Sequence, residues 1–181
     1  MKKIISLILL CCLCVSLVAC GTGDNTGNAG NSGNGGSNGS NGGNNTNTDP
    51  GYVFKYNNTE IAMNVKAEPI ITALGEPLSY TEEASCAFSG LDKTYNYGSF
   101  VIQTYPDGDV DYVYCLWLAD DSVATPEGIY IGSSKADVEK AYGANGFNGS
   151  NAYVMTKGAC TLTVILEGDV VTNITYDAVL D

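Results

Sequence analysis

Residues 61–75 and 129–143 align without a gap, and this internal repeat constrains the fold more than any other feature of the chain. Ile61 meets Ile129, Met63 meets Ile131, Ile70 meets Val138, Ala73 meets Ala141, and Gly75 meets Gly143. Each copy has the pattern of a short amphipathic helix. In the second, Ser134 and Asp137 have capping-box spacing, Val138, Ala141 and Tyr142 fall at i, i+3 and i+4, and Gly143 is placed to stop the helix. In the first, Pro69 stands where Asp137 stands in the second, inside the first turn, where its missing N–H has no helical partner to lose. Ile70, Ala73 and Leu74 form the matching apolar face.

Strand-like runs follow each helix. In the first half they cover 84–89, 95–105 and 110–118, the last two joined by Pro106, Asp107, Gly108 and Asp109. In the second half they cover 152–156, 160–166 and 170–176, with Glu167, Gly168 and Asp169 as a turn. Both halves therefore read α-β-β-β. The expected class is α+β: two tandem α-β-β-β repeats, about 51–120 and 121–181, with the helices packed on an antiparallel sheet. Together they make one domain over 51–181, long enough to bury roughly two thirds of its unfolded surface. Asn57, Asn58 and Thr59 match a glycosylation acceptor pattern and are read as a turn.

Ahead of the domain, residues 20–50 are almost purely Gly, Asn, Ser and Thr after Cys20. Such a composition buries too little apolar surface to offset its conformational entropy, so a flexible linker is expected, with an r.m.s. reach of roughly 30 Å. The first residues place Lys2 and Lys3 before a short apolar run, closed by Leu17, Val18, Ala19 and Cys20. This arrangement resembles a bacterial lipoprotein signal. The resemblance implies a signal peptide over 1–19, acylation of Cys20, and anchoring to the cell membrane on its outer side, facing away from the cytoplasm. The apolar run is shorter than the ~20 residues a membrane span requires. Two or more acyl chains, at about 0.8 kcal/mol per buried methylene, hold a protein durably on a bilayer.

A second resemblance concerns the domain. The segment from Glu127 to Gly143, following Thr125 and Pro126, resembles the Gly-Met-Ser/Thr-x-x-x-Val … Leu-Gly element of β-lactamase inhibitor protein-like domains, which also occurs in small outer-membrane assembly lipoproteins. Ile131 stands in place of the usual Met, Asn64 replaces the glycine in the first copy, and Lys66 with Pro69 departs from the Ser/Thr cap. The resemblance covers about 55–181. It implies tandem α/β repeats backed by a sheet, and a domain that binds other proteins without carrying out a reaction.

The residue inventory narrows the chemistry. Histidine and arginine are both missing from the chain, which removes the commonest general base and the usual bidentate clamp for an oxyanion. No catalytic residue and no cofactor is expected. Asp107, Asp109 and Asp111 have the spacing that opens a calcium loop, but Gly108 falls at the second position and Leu118 at the twelfth, so a solvated hairpin tip is the reading. Ser133, Ser134 and Lys135 read as a helix cap rather than a Ser/Lys pair. Cys86, Cys115 and Cys160 lie in the domain; Cys86 with Cys115 is the candidate disulfide, and burial of all three as free thiols is the alternative. No cysteine spacing suits zinc.

Removing Lys2 and Lys3 with the signal leaves six lysines against twenty acidic residues, a net charge of −14 before terminal groups. Nucleic acid and anionic headgroups are therefore not expected partners. The candidate binding residues are Tyr95, Tyr97, Tyr112, Tyr114 and Trp117. On 110–118, Tyr112 and Tyr114 alternate with Cys115 and Trp117, so both faces of the run carry large side chains. Either both faces are covered, or one presents an apolar, tyrosine-rich surface of the kind enriched in binding hot spots. The expected function is a tethered, non-catalytic module that binds an extracytoplasmic protein or wall component through its sheet. The alternatives are a structural lipoprotein of envelope assembly and, below it, a small hydrolase using carboxylates such as Asp107 and Asp111.

Overall fold

The computed structural model describes residues 49–147 and 151–180. The signal-like segment, Cys20 and residues 21–48 lie outside the described residues. Twelve elements follow in order: β1 (Phe54–Tyr56), β2 (Thr59–Ile61), α1 (Ala67–Leu74), β3 (Ser79–Ala84), β4 (Leu91–Asn96), β5 (Phe100–Asp107), β6 (Val110–Leu118), α2 (Lys135–Tyr142), a 3-10 turn (Ala144–Gly146), β7 (Ala152–Lys157), β8 (Cys160–Glu167) and β9 (Val170–Ala178). The class is α+β. Its centre is a seven-stranded antiparallel sheet of order β3-β4-β5-β6-β9-β8-β7, and β1 with β2 forms a separate hairpin.

Two of the expected strand runs differ, and a hairpin not expected precedes them. The run 84–89 is mostly a bend; the strand there is β3, which ends at Ala84. The run 95–105 is two strands, β4 and β5, broken at residues 97–99, where Gly98 has φ 91° and Tyr97 N–H donates to Phe100 O at 3.0 Å. Four strands thus follow α1, whereas three follow α2. The short β1–β2 hairpin carries no period-two signal because each strand has three residues. Its turn falls at Asn57, which takes φ 51°, a region Asn enters more readily than most residues.

Both helices pack on the same side of the sheet. In α2 the Ser134 hydroxyl accepts from Asp137 N–H at 3.2 Å and the Asp137 carboxylate accepts from Ser134 N–H at 3.2 Å, the expected capping box. The Ser134 hydroxyl, which donates to that carboxylate at 2.6 Å, and then the Ser134 N–H hold the Asp137 carboxyl below its ordinary pKa. Gly143 closes the helix, its N–H bonded to Glu139 O. Val138 is fully buried, and Ala141 and Tyr142 pack against the core. In α1, Lys66 occupies the cap position and makes no side-chain cap bond. Its buried residues are Ala67 and Ile70, with Ile71 and Leu74 packed beside them; Ala73, expected on this face, is exposed. The stripe runs 67, 70, 71, 74, the i, i+3, i+4, i+7 set of one helix face.

The core lies between this layer and the sheet. Phe54, Ile61 and Met63 from the hairpin side meet Phe100, Ile102 and Leu116 from β5 and β6, and Leu162, Ile174 and Tyr176 from β8 and β9. Each such side chain, fully buried, contributes about 1.5–3 kcal/mol by removal of apolar surface from water. Two phenols at the helix layer are partnered: the Tyr153 hydroxyl donates to Glu139 at 3.0 Å, and the Tyr142 hydroxyl donates to Glu127 and accepts from the Thr125 hydroxyl, each at 2.7 Å.

The two central hairpins share their backbone devices. In β6, Tyr114 is the extra residue of a bulge between the pairs Gln103–Cys115 and Thr104–Val113; in β9, Thr172 is the extra residue between Ile165–Asn173 and Leu166–Val171. Just before each bulge a valine clasps the segment that leads into a helix. Asn64 N–H donates to Val113 O and Val113 N–H to Val65 O; Gly132 N–H donates to Val171 O and Val171 N–H to Ser133 O. Asn64 and Gly132 both have positive φ, 59° and 109°.

Candidate functional site

The bulge at Tyr114 decides which residues of β6 face solvent. Strict alternation would put Tyr112, Tyr114, Leu116 and Leu118 on one face. The extra residue instead lets Val113, Leu116 and Leu118 all enter the core, while Tyr112, Tyr114, Cys115 and Trp117 belong to the side away from the helices. Tyr105 of β5, paired with Tyr112, joins them. Its ring stacks on Tyr112 at 5.7 Å and meets Tyr114 edge-on at 6.1 Å. Phe88, from the bend after β3, lies over Tyr105 at 4.6 Å and shields it. The Tyr105 hydroxyl also donates to the Asn64 side chain at 2.5 Å, and burial pushes its phenol above the ordinary range.

This outer face continues across β9, β8 and β7. By register its residues include Thr175 beside Trp117, then Thr163, Ile165 and Val154. Val154 and Ile165 are 45% and 40% exposed, and Tyr114 is 38% exposed. Trp117 and Tyr112 are half-buried. Val101, Tyr105 and Cys115 on this face are buried, and Phe88 covers Tyr105; both helices pack on the core side. The surface combines aromatic and aliphatic side chains with the hydroxyls of threonine and tyrosine, the mixture that suits a protein or saccharide contact.

The five expected binding residues do not form one surface. Tyr112, Tyr114 and Trp117 share the outer face. Tyr95 belongs to the helix side, because its partner Ile102 points into the core, and its ring packs on Tyr80 at 5.0 Å. Tyr97 sits in the turn before β5, stacked on Phe100 at 5.2 Å, with its hydroxyl donating to Gly75 O at 3.4 Å. Burial raises the pKa of both phenols. Sequence reasoning missed Tyr105, Val154 and Ile165. Thr161, Thr163 and Ile165 alternate with the buried Leu162 and Val164 on β8, a signal that could have placed Ile165 on the outer face.

The cysteine expectation is corrected. Cys86, Cys115 and Cys160 are all free thiols. Cys86 lies exposed on the bend after β3, whereas Cys115 is buried on β6 beside Asp177, so the expected Cys86–Cys115 disulfide does not form. Burial and the neighbouring Asp177 carboxylate push the Cys115 thiol well above its usual pKa, and burial pushes Cys160 up to about 12, which leaves both poor nucleophiles at neutral pH.

The acidic hairpin is a turn. Asp107 and Val110 are the last pair of the β5–β6 ladder, Gly108 has φ 60°, and Asp107 and Asp109 are exposed. Asp111 turns to the helix side and pairs with Lys93 at 2.6 Å, a bond that raises the Lys93 pKa. Among the described residues, no three His, Cys, Asp or Glu side chains converge as a metal site. Ser134 is the α2 cap, Ser133 is buried and accepts from Tyr130 N–H at 3.0 Å, and the Lys135 ammonium lies 4.1 Å from the centre of the Phe147 ring. Among the described residues no helix is long and apolar enough to cross a membrane. No protein-family model, curated protein or solved structure matches this chain.

Proposed function

We propose that this protein is a lipoprotein acylated at Cys20, whose 51–181 domain lies outside the cytoplasmic membrane and binds an extracytoplasmic protein or wall component without chemical reaction. The observation that carries the reading is the outer sheet face: Tyr112, Tyr114 and Trp117 lie together on it with exposed Val154 and Ile165, and neither described helix lies over them. Aromatic side chains of this kind give large contact area at low cost in conformational entropy. The domain is further read as two related repeats. Supporting this are the shared bulges, the paired valine clasps, and the positive φ shared by Asn64 and Gly132, which occupy matching places in the aligned segments. β3 is then an added strand of the first repeat.

Photocrosslinking tests the face directly. A photoreactive phenylalanine analogue is placed at Tyr114, Val154 or, as a control on the helix side, Lys140, in the full-length protein in the cells that make it. A discrete adduct from positions 114 and 154, missing from 140 and lost from 154 when Tyr114 is changed to alanine in a protein still folded by circular dichroism, supports the reading. Adducts from 140 alone, or from none of the three, overturn it. Lipidation is tested separately by mass spectrometry of the mature N-terminus, with Cys20→Ser expected to abolish acylation and release the chain from membranes.

A further inference from the structure

We propose that the unpaired edge of β3 is a second docking site, which takes an extended, lysine- or arginine-bearing polypeptide segment as an eighth strand of the sheet. This inference does not depend on the outer face. Among the described residues β3 has β4 as its one neighbour, and all six of its residues are exposed. The ladder fixes which backbone groups are open. Ser85 N–H donates to Gly90 O, so stepping by two along an antiparallel pair makes Glu83–Asp92, Thr81–Thr94 and Ser79–Asn96 the hydrogen-bonded pairs. The N–H and C=O groups of Tyr80, Glu82 and Ala84 then point away from the sheet, a row of donors and acceptors at strand spacing.

Charge complementarity selects the occupant. The carboxylates of Glu82 and Glu83 lie next to each other on β3, one on each face of the sheet, with Glu76 just before the strand. Lys93, the nearest cation, is held by Asp111 at 2.6 Å. The Tyr80 hydroxyl donates to Glu82 at 2.7 Å and so fixes that carboxylate beside the edge. On the helix side a groove runs along α1, with Ile71 and Thr72 as one wall and Tyr80 and Tyr95 as the floor, so apolar stems of basic side chains have a surface to lie on. A second copy of this chain is disfavoured: antiparallel self-pairing would bring four glutamates together. Residues 21–48 of this chain carry no lysine or arginine and do not fit the charge requirement. The opposite edge differs, since Phe147 bridges to Tyr153 of β7 and packs against its ring, tilted, at 5.1 Å.

The test uses the full-length protein in detergent micelles and two capped octapeptides, one alternating valine with lysine and one alternating valine with glutamate, read by hydrogen exchange. The lysine peptide is expected to slow exchange of residues 79–84 at least tenfold, with β7 unchanged, and the glutamate peptide to leave it unaltered. Ala84→Pro removes one outward N–H without touching the β4 ladder or a carboxylate, and should weaken binding at least tenfold. The paired change Glu82→Lys and Glu83→Lys should reverse the preference toward the glutamate peptide. Equal binding of both peptides, protection on the outer face or β7 instead, no protection at millimolar peptide, or an edge already sealed by a concentration-dependent dimer would each overturn the proposal.

Discussion

The two ends of the sheet are built differently on either side of a matched centre. Where β6 meets β9, the strands carry the same bulge and the same valine clasp onto a helix-leading segment. Away from the centre the match fails. On one side the sheet ends at β3, whose outer edge has no partner among the described residues, and α1 begins at an uncapped Lys66. The second half stops at β7, crosses it with Phe147, and starts its helix from a complete capping box. The centre is where a change would unseat two ladders at once, so it tolerates little variation. The edges answer to fewer neighbours and are free to differ.

The largest expected effect probes the matched centre. Leu116 and Ile174 each stand three residues beyond a clasp valine and are fully buried. Leu116→Ala and Ile174→Ala should each cost about 2–5 kcal/mol in chemical denaturation, through lost burial and the cavity left behind. Costs that differ by more than the width of that range would break the equivalence. The next effect separates two hairpin turns. Gly108 and Gly158 each open a two-residue turn at φ near 60°. An alanine Cβ at 108 meets nothing within 4 Å, whereas at 158 it would fall 2.0 Å from Asp49 O. Gly108→Ala should cost about 1–2 kcal/mol, the left-handed backbone penalty alone, and Gly158→Ala clearly more; equal midpoints would show that the contact with Asp49 is not maintained in solution.

Smaller again is the contrast between caps. Ser134→Ala should cost about 1 kcal/mol, while Lys66→Ala should stay within about 0.5 kcal/mol because Lys66 bonds nothing at the helix start. The smallest effect is in alkali. Burial, and then the hydrogen bond to Glu139, push the Tyr153 phenol up to about 12. A raised pKa means the folded state holds its proton more tightly than the unfolded chain. The contribution is therefore complete below about pH 10 and is lost as pH rises through about 12. Urea midpoints between pH 9 and 11 should fall less for Tyr153→Phe than for the parent; identical slopes would show that this phenol does not titrate with unfolding.

Much of the helical layer was legible because its signals are local. A capping box, an i, i+3, i+4 stripe and a terminal glycine are read within ten residues, and α2 carries all three. The sheet was legible in its class and in its three long hairpin strands, 110–118, 160–166 and 170–176. It was not legible at β3 and β4, where exposed polar residues give no alternation: β3 reads Ser, Tyr, Thr, Glu, Glu, Ala and buries none of them. The division of β6 into faces could not be read at all, because a bulge changes the phase of alternation and its cause lies in the pairing with β5 and the clasp on Asn64. For the same reason, Tyr95 and Tyr112 were grouped by composition and stand on opposite sides of the sheet.

Trp117 is the chain's one tryptophan, and the bulge leaves it half-buried on the outer face. Its emission is therefore an intrinsic optical reporter for that face, with no background from a second indole in the core. An occupant covering the face should shift the emission to shorter wavelength and shield it from acrylamide. A strand added at β3 should leave both unchanged, so one cuvette distinguishes the two modes of association.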